Sequence, residues 1–385
     1  MRPRWRSPVR ALALLWLVGT NWRRSELQAQ GAPSPLTFGV GTWQLTLGGF
    51  FKLSVNHDFD ANSSPDLFDP RSIPVDGTRG TNTRITARET RLSLGLKGPA
   101  GRRNLEFLLE GDFFGPGTGT GNTFRLRHAY ARYGALLAGQ TWTTFMDELN
   151  IPPTIDFEHA LATPLVRQGL VRVTTAVSPG GELAFALEES DPVVLNPTAI
   201  PGAVEKAWPD LTTRYRLTGR RGHIQLSGFL GQTRFRNTAG DPREVTIGGV
   251  LLSARLQLFE ADAASLELVY GPGVGRYRGD ASASLDSTGH LRTVDLAGLT
   301  IGYQHRWSER WSSHVVVSPV RVVGDAGPPT ADDGFDYLAA NLLYWFIDKR
   351  AWIGGEYLYG RRRLVNGTRA TGHRIQLAVR FNIMQ

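Results

Sequence analysis

Charged side chains that could act on ionic solutes are concentrated in residues 106–153. Glu110 and Asp112 lie in one segment, and Arg125 and Arg127 lie in the next. A guanidinium stays charged at physiological pH and binds carboxylates through two parallel hydrogen bonds. Arginines and carboxylates that alternate on consecutive segments are rare in a soluble enzyme. The pattern predicts a water-filled lumen lined by charge.

The sequence supports a catalytic or cofactor-binding site less well than it supports a charged lumen. No G-x-S-x-G signature is present, and the glycine-rich residues 115–121 lack the Gly-Lys-Ser/Thr of a phosphate-binding loop. No His/Glu pair has metal spacing, so we expect no enzyme activity, no cofactor and no metal. One alternative stays open, a calcium site in the first long loop formed by oxygen ligands from Asp58, Asp60, Asp66 and Asp69.

The segments that carry these residues alternate apolar and polar side chains with a period of two, which is typical of half-buried strands. No segment shows sustained helical spacing; only the loop after Trp142 leaves room for a short helix. The pattern therefore predicts an all-β chain. Sixteen strands are predicted, at 43–55, 84–97, 102–114, 123–133, 135–142, 166–177, 181–190, 208–218, 222–235, 243–258, 262–275, 291–307, 311–323, 335–347, 351–363 and 369–383.

The predicted connections alternate between short turns, such as 98–101, and long loops, such as 56–83. Short turns on one rim and long loops on the other are typical of bacterial transmembrane barrels, whose even strand number returns both termini to the periplasm. We therefore predict a transmembrane antiparallel up-and-down β-barrel of about sixteen strands. Its third extracellular loop is expected to fold into the lumen.

The two faces of each strand differ in the way that a pore requires. In the last strand, Ile375 and Leu377 share one face, and Arg374 and Arg380 share the other. One arginine at the bilayer midplane costs about 2–4 kcal/mol, so the arginine face must look onto water inside the barrel. Aromatic residues near strand ends predict interfacial girdles formed by Trp43, Trp142, Trp307, Trp311, Tyr344, Trp345, Trp352, Tyr357 and Tyr359.

The N-terminus has the features of a secretory signal: four arginines, the apolar run 11–18 and a small-residue cleavage site at Ala29. We predict a signal peptide at 1–29, a short periplasmic lead at 30–42 and the barrel at 43–385. The formal charge of the chain is +8, but residues 1–29 hold six arginines and one glutamate, which leaves 37 basic and 34 acidic residues. That balance argues against nucleic acid as a partner.

Three segments together resemble the DcaP-like porins, a family of trimeric outer-membrane channels for small anionic solutes: EGDFFG (110–115), RLRHAYARYG (125–134) and LLAGQTWTTFMD (136–147). The resemblance covers roughly residues 43–180 and implies sixteen strands, three copies per assembly and a third loop, here 143–165, folded into each lumen. Two departures are a missing helical periplasmic extension and a C-terminus that does not end on an aromatic residue.

The selectivity device is expected to have two sides. A basic wall comprises Arg91, Arg125, Arg127, Arg172, Arg214, Arg216, Arg255, Arg374 and Arg380. The inserted loop faces it with Asp147, Glu148, Asp156, Glu158 and His159. Opposed charges of this kind select solutes by sign. Two alternatives stay open: many of these charges only neutralise one another, and His128, Tyr130 and Arg132 face inward in place of Arg125 and Arg127.

The sequence therefore predicts a passive outer-membrane porin, an ion-transporting diffusion channel for small hydrophilic solutes that prefers anions or small carboxylates. Its expected partners are these solutes, outer-membrane lipid and two further copies of the chain in a homotrimer. An outer-membrane barrel enzyme such as a lipid hydrolase is one alternative, and a plugged structural or adhesion barrel is another. Lipid-release and solute-uptake assays distinguish the three.

Overall fold

A computed structural model describes residues 36–62, 64–115, 122–259, 261–324 and 327–383. Within these ranges the chain forms a closed barrel of sixteen antiparallel strands, so the predicted fold class is confirmed. The strands are β1 Trp43–Asp58, β2 Asn82–Thr86 with Arg91–Ala100, β3 Arg103–Gly115, β4 Thr123–Tyr133, β5 Leu136–Trp142, β6 Arg167–Ser178, β7 Gly181–Glu188, β8 Asp210–Gly219, β9 Gly222–Asn237, β10 Pro242–Leu258, β11 Asp262–Pro272, β12 Asp295–Arg306, β13 Trp311–Val323, β14 Asp332–Ile347, β15 Ala351–Leu364 and β16 Arg369–Asn382.

Each strand pairs with the next, and β16 closes the barrel on β1 in a register that runs from Phe50 opposite Asn382 to Asp58 opposite Arg374. Closure leaves no strand edge to expose unpaired backbone groups to lipid, which is the condition for a sheet to span a bilayer. Residues Leu36–Val40 add a short strand that pairs with the start of β1. Part of the predicted periplasmic lead is therefore a strand. The predicted signal peptide, 1–29, and the glycine-rich residues 116–121 lie outside the described residues.

Two strand predictions differ from the structure in detail. The second strand is interrupted at residues 87–90, and the predicted strand 291–307 is divided into Leu291–Thr293 and Asp295–Arg306. The loop after Trp142 contains turns but no helix in the structure. Short 3-10 helices lie instead at Pro70–Ser72 and Val274–Arg278, in two other loops. Among the described residues, no helix has the length and apolarity to cross a membrane.

The outward faces of the strands are apolar and exposed, as the period-two pattern predicts. Leu377 is 54% exposed, whereas Gln376 beside it is 2% exposed. Three residues that were assigned to the aromatic girdles turn inward instead, and one of them, Trp345, lies opposite Trp352 and packs against the cluster of which Trp352 is part. Trp352 packs on the loop residue Ile155, and the Trp142 ring lies 4.2 Å from the Arg167 guanidinium. Position near a strand end did not distinguish an interfacial aromatic ring from one that supports a loop inside the barrel.

A β-bulge in β4 resolves the ambiguous direction of its side chains. Glu110 lies opposite His128 while Gly111 lies opposite Leu126, so Arg127 is the extra residue between them. A bulge adds one residue and reverses the alternation beyond it. Both sets of residues therefore face inward: Arg125 and Arg127 before the bulge, and His128, Tyr130 and Arg132, on the inward face of Glu110 and Glu106, after it. The alternative in which the second set replaces the first is wrong.

Long loops connect the strands at one end of the barrel. We call them L1 to L8 in chain order, and three of them matter here: L1 (59–81), L3 (143–166) and L6 (273–294). All three contribute side chains to a buried apolar cluster inside the ring of strands, with Phe68 from L1, Phe145 from L3 and Tyr277 from L6. The interior of the barrel is therefore partly filled by its own loops.

Candidate functional site

L3 crosses the interior of the barrel and is held there by carboxylates on the inner wall. Glu188 accepts hydrogen bonds from the Thr144 backbone N–H at 2.7 Å and the Thr143 hydroxyl at 2.6 Å. On the far side, Glu356 accepts from the backbone N–H groups of Ile155 and Asp156, at 3.0 and 2.6 Å. Backbone N–H groups taken out of water need such partners. The wall carboxylates thus set the path of L3.

Asp147 anchors the first half of L3 to β8, β9 and β10. Its carboxylate is fully buried and accepts from His223 Nε2 at 2.7 Å and from the Ser253 hydroxyl at 2.5 Å. Arg216 completes the cluster, with its Nη2 atom 3.2 Å from Asp147 Oδ1. Burial alone would raise the pKa of Asp147, but these hydrogen bonds and charges lower it. Ser253 and His223 each bond to the carboxylate, so the cluster is an anchor rather than a nucleophile–base arrangement.

One half of the inner wall is apolar, which the alternating pattern does not require. Inward-facing residues of β9 to β15 pack against Phe145, Leu161 and Tyr277 of the inserted loops. Water is excluded from such a cluster. The other half of the wall, from β16 through β1 to β8, is polar, and we call it the polar half. The apolar inner-wall residues are Phe229, Ile247, Leu251, Val269, Leu296, Val316, Val320, Phe335, Tyr337, Ala339 and Leu358.

Three predicted wall arginines meet on the polar half. Arg125 binds Asp112 through two hydrogen bonds of 2.9 and 2.7 Å. Arg127 bridges Glu110 at 2.8 Å and Asp112 at 2.9 Å, and Arg91 lies 3.6 Å from Glu110. The carboxylates of β3 therefore neutralise part of this charge. We call Arg91, Arg125, Arg127, Glu110 and Asp112 the β2–β4 cluster.

Further cations surround the β2–β4 cluster. Lys52 forms an ion pair with Glu89, and Arg380 stacks on the Phe50 ring at 3.7 Å. Arg167 stacks on Trp142 and lies close enough to Arg91, Arg125 and Arg127 for electrostatic repulsion between the guanidinium groups. Together these groups place six cations against three carboxylates: Lys52, Arg91, Arg125, Arg127, Arg167 and Arg380 against Glu89, Glu110 and Asp112.

L3 presents an aromatic ring, not an acid, to this excess of positive charge. The Phe157 ring lies 5.5 Å from the Arg125 guanidinium and 5.8 Å from that of Arg127. His159 lies nearby, and burial lowers its pKa to about 4, so it is neutral at pH 7. The L3 side chains beside Arg125 and Arg127 therefore carry no opposing charge, whereas Lys52 also interacts with Asp156 of L3. Sequence patterns gave no signal for Phe157, because it lies in a loop without periodicity.

A second group of predicted residues lies nearer the short turns. Arg214 binds Glu182 at 2.8 Å and lies 3.7 Å from Glu148 of L3, and Arg216 lies 3.9 Å from the same carboxylate. Burial would raise the pKa of Glu148, but Arg214, Arg216 and Arg172 lower it, so it stays ionised. Here the loop acids contact the wall arginines directly instead of facing them across open space. Arg255, further round the wall, bonds Gln304.

Three predicted constriction residues are displaced from the arginine wall. Arg374 is fully buried and paired with Asp58 at 2.7 Å, so it does not line open space. Asp156 accepts from the Phe68 N–H and the Tyr337 hydroxyl, and Glu158 binds Arg71 of L1 at 2.8 Å. The prediction that both acids face the basic wall is therefore wrong. Asp156 instead joins L3 to L1 and β14, and Glu158 joins it to L1.

The proposed calcium ligands also diverge, since each is used by a different partner. Asp58 pairs with Arg374, Asp66 with Arg84 and Arg88, and Asp69 with Arg71, while Asp60 accepts from the His373 N–H. No cluster of three or more potential metal ligands occurs in the described part of the chain. Arg71 has a larger role than its position in the sequence suggests, because it also binds Asp280 of L6 at 2.7 Å. It thereby connects L1, L3 and L6.

The docking of L3 is expected to weaken as the pH rises. Burial and the neighbouring Glu356 carboxylate raise the pKa of Asp156 from 3.8 to about 7. A carboxyl whose pKa is raised by docking stabilises the docked loop fully below pH 3.8, and this contribution is lost as the pH rises through about 7. Hydrogen exchange of L3 amides, corrected for intrinsic rates, should show stronger protection at pH 5 than at pH 8. Burial also raises the pKa of Glu158 in L3 to about 7, so Asp156→Asn should reduce the difference without abolishing it. An equal difference in this variant would contradict the assignment.

Comparisons with known proteins agree with this architecture. Residues 40–383 match the family model described as DcaP outer membrane protein. The outer membrane channel DcaP of Acinetobacter baumannii superposes with a TM-score of 0.79 at 21% identity, covering 91% of this chain and 99% of that one. An anion-selective porin from Comamonas acidovorans gives 0.59 at 12% identity, with 88% and 99% covered. The trimer form of OmpT, an outer membrane protein of Vibrio cholerae, gives 0.56 at 10%, with 89% and 100% covered. No curated protein matched the sequence.

Proposed function

The chain belongs to the DcaP outer membrane protein family and is a protein of the bacterial outer membrane, and from this premise we propose that it is a porin that passes small hydrophilic solutes with a preference for anions or small carboxylates. Solutes diffuse through the polar half of the lumen, between L3 and the inner wall of β16 and β1–β8. Transport is passive, driven only by the concentration gradient of the solute. The preference for anions arises from the charge along this path.

The excess of cations beside Phe157 is the observation that carries the proposal. Six cationic side chains and three carboxylates face this side of L3. A net positive charge inside low-dielectric walls raises the local concentration of anions. Arg167 stacks on the Trp142 ring, and Arg380 stacks on the Phe50 ring and donates from Nε to Asn382 Oδ1. The N–H groups of a guanidinium bind carboxylates through charge-assisted hydrogen bonds.

Conductance in planar bilayers tests the channel. The purified barrel should insert with discrete current steps, and a tenfold salt gradient should give a reversal potential of the sign expected for anions. Liposome-swelling rates for a small dicarboxylate should exceed those for a diamine of equal length. A barrel that shows the gel mobility of the folded state but gives no current steps would reject the proposal.

The apolar cluster of L1, L3 and L6 favours one competing function, a structural barrel whose lumen is plugged. The cluster occupies the β9–β15 side and could only be displaced by exposing its buried rings. The same bilayer measurement separates the two functions, because a plugged barrel gives no steady conductance. Uptake of labelled dicarboxylate by porin-deficient cells is a second test in the native membrane.

We further propose that three copies assemble, as the family resemblance implies and as the trimeric form of the Vibrio cholerae protein illustrates for this fold. The exposed apolar faces of the first strands, including Phe51 and Leu92, would form the contact. Crosslinking of unheated protein should give a band at three times the mass of the chain. A monomeric band at every crosslinker concentration would reject the trimer.

A further inference from the structure

Four arginines lie on the outside of the barrel, at the end where the long loops are. Arg321 of β13, Arg361 and Arg363 of β15, and Arg369 of β16 share the outward parity of exposed apolar residues such as Val317 and Ile353. In transmembrane barrels this end faces the cell exterior. An outward arginine is tolerated at the membrane interface but not at the midplane. These side chains therefore lie at the level of lipid headgroups.

The charge of this group is not balanced by its own carboxylates. Asp336 binds Arg321 and Arg361 at 2.5 Å each and lies 3.6 Å from Arg363. Asp333 lines a recess of about 330 Å³ that Arg363 and Arg369 also line. Four cations thus share two carboxylates. The Nε and Nη2 atoms of Arg363 are buried without a hydrogen-bond partner in the structure.

A comparable group on the same rim shows what a balanced cluster is like. Arg234 and Arg236 of β9 face outward and bind Glu205 and Glu244, with contacts of 2.5 Å from each arginine. Two cations are matched there by two carboxylates. The charge of outward arginines at this rim can therefore be balanced by the chain itself, although Arg234 Nε has no hydrogen-bond partner in the structure. The cluster around Arg363, by contrast, has an excess of two cations over its carboxylates.

An apolar groove on the outer wall is lined at one end by Arg321, one of the four arginines. It has a volume of about 560 Å³, crosses β9 to β13, and ends at Arg321. A small residue opens it: Ala297, which faces outward, lies directly opposite Arg321 in the sheet. The other lining side chains are aliphatic or aromatic, including Leu226, Val250, Leu268 and Pro319. A groove of this kind fits a hydrocarbon chain, and its cationic end fits an anion attached to that chain.

We propose that the outward arginines Arg321, Arg361, Arg363 and Arg369, together with the adjoining groove, form a binding site for a phosphorylated lipid of the outer leaflet. The phosphate lies among the guanidinium groups, and one acyl chain lies in the groove. Basic pockets next to apolar wall are the usual way in which membrane proteins hold anionic headgroups. Arginine suits this role because its planar fork binds phosphate oxygens in pairs. The site is separate from the lumen and does not depend on conduction.

Native mass spectrometry of the full barrel in neutral detergent tests the site, with diphosphorylated lipid A as the probe. The double variant Arg361→Gln/Arg363→Gln should bind the probe about tenfold more weakly than the unchanged chain. The matched control, Arg234→Gln/Arg236→Gln, removes the same charge from the balanced cluster and should bind within about twofold of the unchanged chain. Equal affinity in the double variant, or an equal loss in the control, overturns the proposal.

Two further measurements distinguish a lipid from a free phosphate. Inorganic phosphate at millimolar concentration should not displace the lipid, and Ala297→Phe, which fills the groove, should weaken lipid binding while the arginines are intact. Full displacement by inorganic phosphate, or unchanged affinity in the groove variant, overturns the assignment to a lipid. If the double variant does not fold, Arg363→Gln alone serves, since it keeps both short ion pairs of Asp336.

Discussion

Replacing both Arg125 and Arg127 with alanine is expected to lower the ratio of anion to cation permeability about tenfold. The two arginines bind Glu110 and Asp112, and Asp112 is fully buried. The substitution removes two cations and also removes the ion pairs of 2.7 to 2.9 Å that Glu110 and Asp112 form with them. The remaining charges beside Phe157 change from an excess of cations to near balance. The reversal potential in a salt gradient measures the ratio directly.

The control for this experiment removes the same formal charge from outside the lumen. Arg234→Ala/Arg236→Ala changes two arginines of the outer rim and should leave the reversal potential unchanged. Arg167→Gln, which touches no carboxylate within salt-bridge distance in the described structure, should lower anion preference without freeing an acid. If the Arg125/Arg127 variant keeps its reversal potential, the β2–β4 cluster does not set selectivity, and the path lies elsewhere in the lumen.

Replacing Arg374 with leucine is expected to destabilise the barrel by about 3–5 kcal/mol. Arg374 is fully buried, and its two bonds to Asp58, of 2.7 and 2.9 Å, join β16 to β1 where the barrel closes. The substitution leaves the Asp58 carboxylate buried without its cation, which costs far more than the loss of an exposed pair. Urea titration of the barrel refolded in lipid vesicles measures the difference.

An exposed pair in the same barrel gives the comparison. Lys97 and Glu106 are paired at 2.7 Å, with the lysine side chain 50% exposed, so Lys97→Gln should cost at most about 1 kcal/mol. Adding Asp58→Asn to Arg374→Leu should recover part of the lost stability, because asparagine replaces the buried, unpaired Asp58 carboxylate with a neutral side chain. If Arg374→Leu unfolds at the same urea concentration as Lys97→Gln, the closing pair does not hold β16 to β1.

The sequence by itself determined the barrel, its strand number and the direction of most side chains. Alternation with a period of two can be read from a few consecutive residues. Because one face of a barrel strand contacts lipid and the other contacts water, the alternation also gives the direction of each side chain: Leu377 must face out and Gln376 must face in. Strand ends were predicted to within a few residues, because turns and loops interrupt the same alternation. The charges of residues 106–142 likewise mark the inner wall before any contact is known.

Only the tertiary structure decided which half of the lumen is polar and which side chains meet. The bulge at Arg127 reverses the alternation of β4 through one extra residue, which no periodicity reveals. The path of L3 is set by Glu188 and Glu356 on strands far apart in the sequence. Asp156 and Glu158 therefore bind partners other than the arginine wall, and Phe157 lies against the arginines. A strand repeats its environment every second residue, whereas a loop inside a barrel takes its conformation from the surrounding wall.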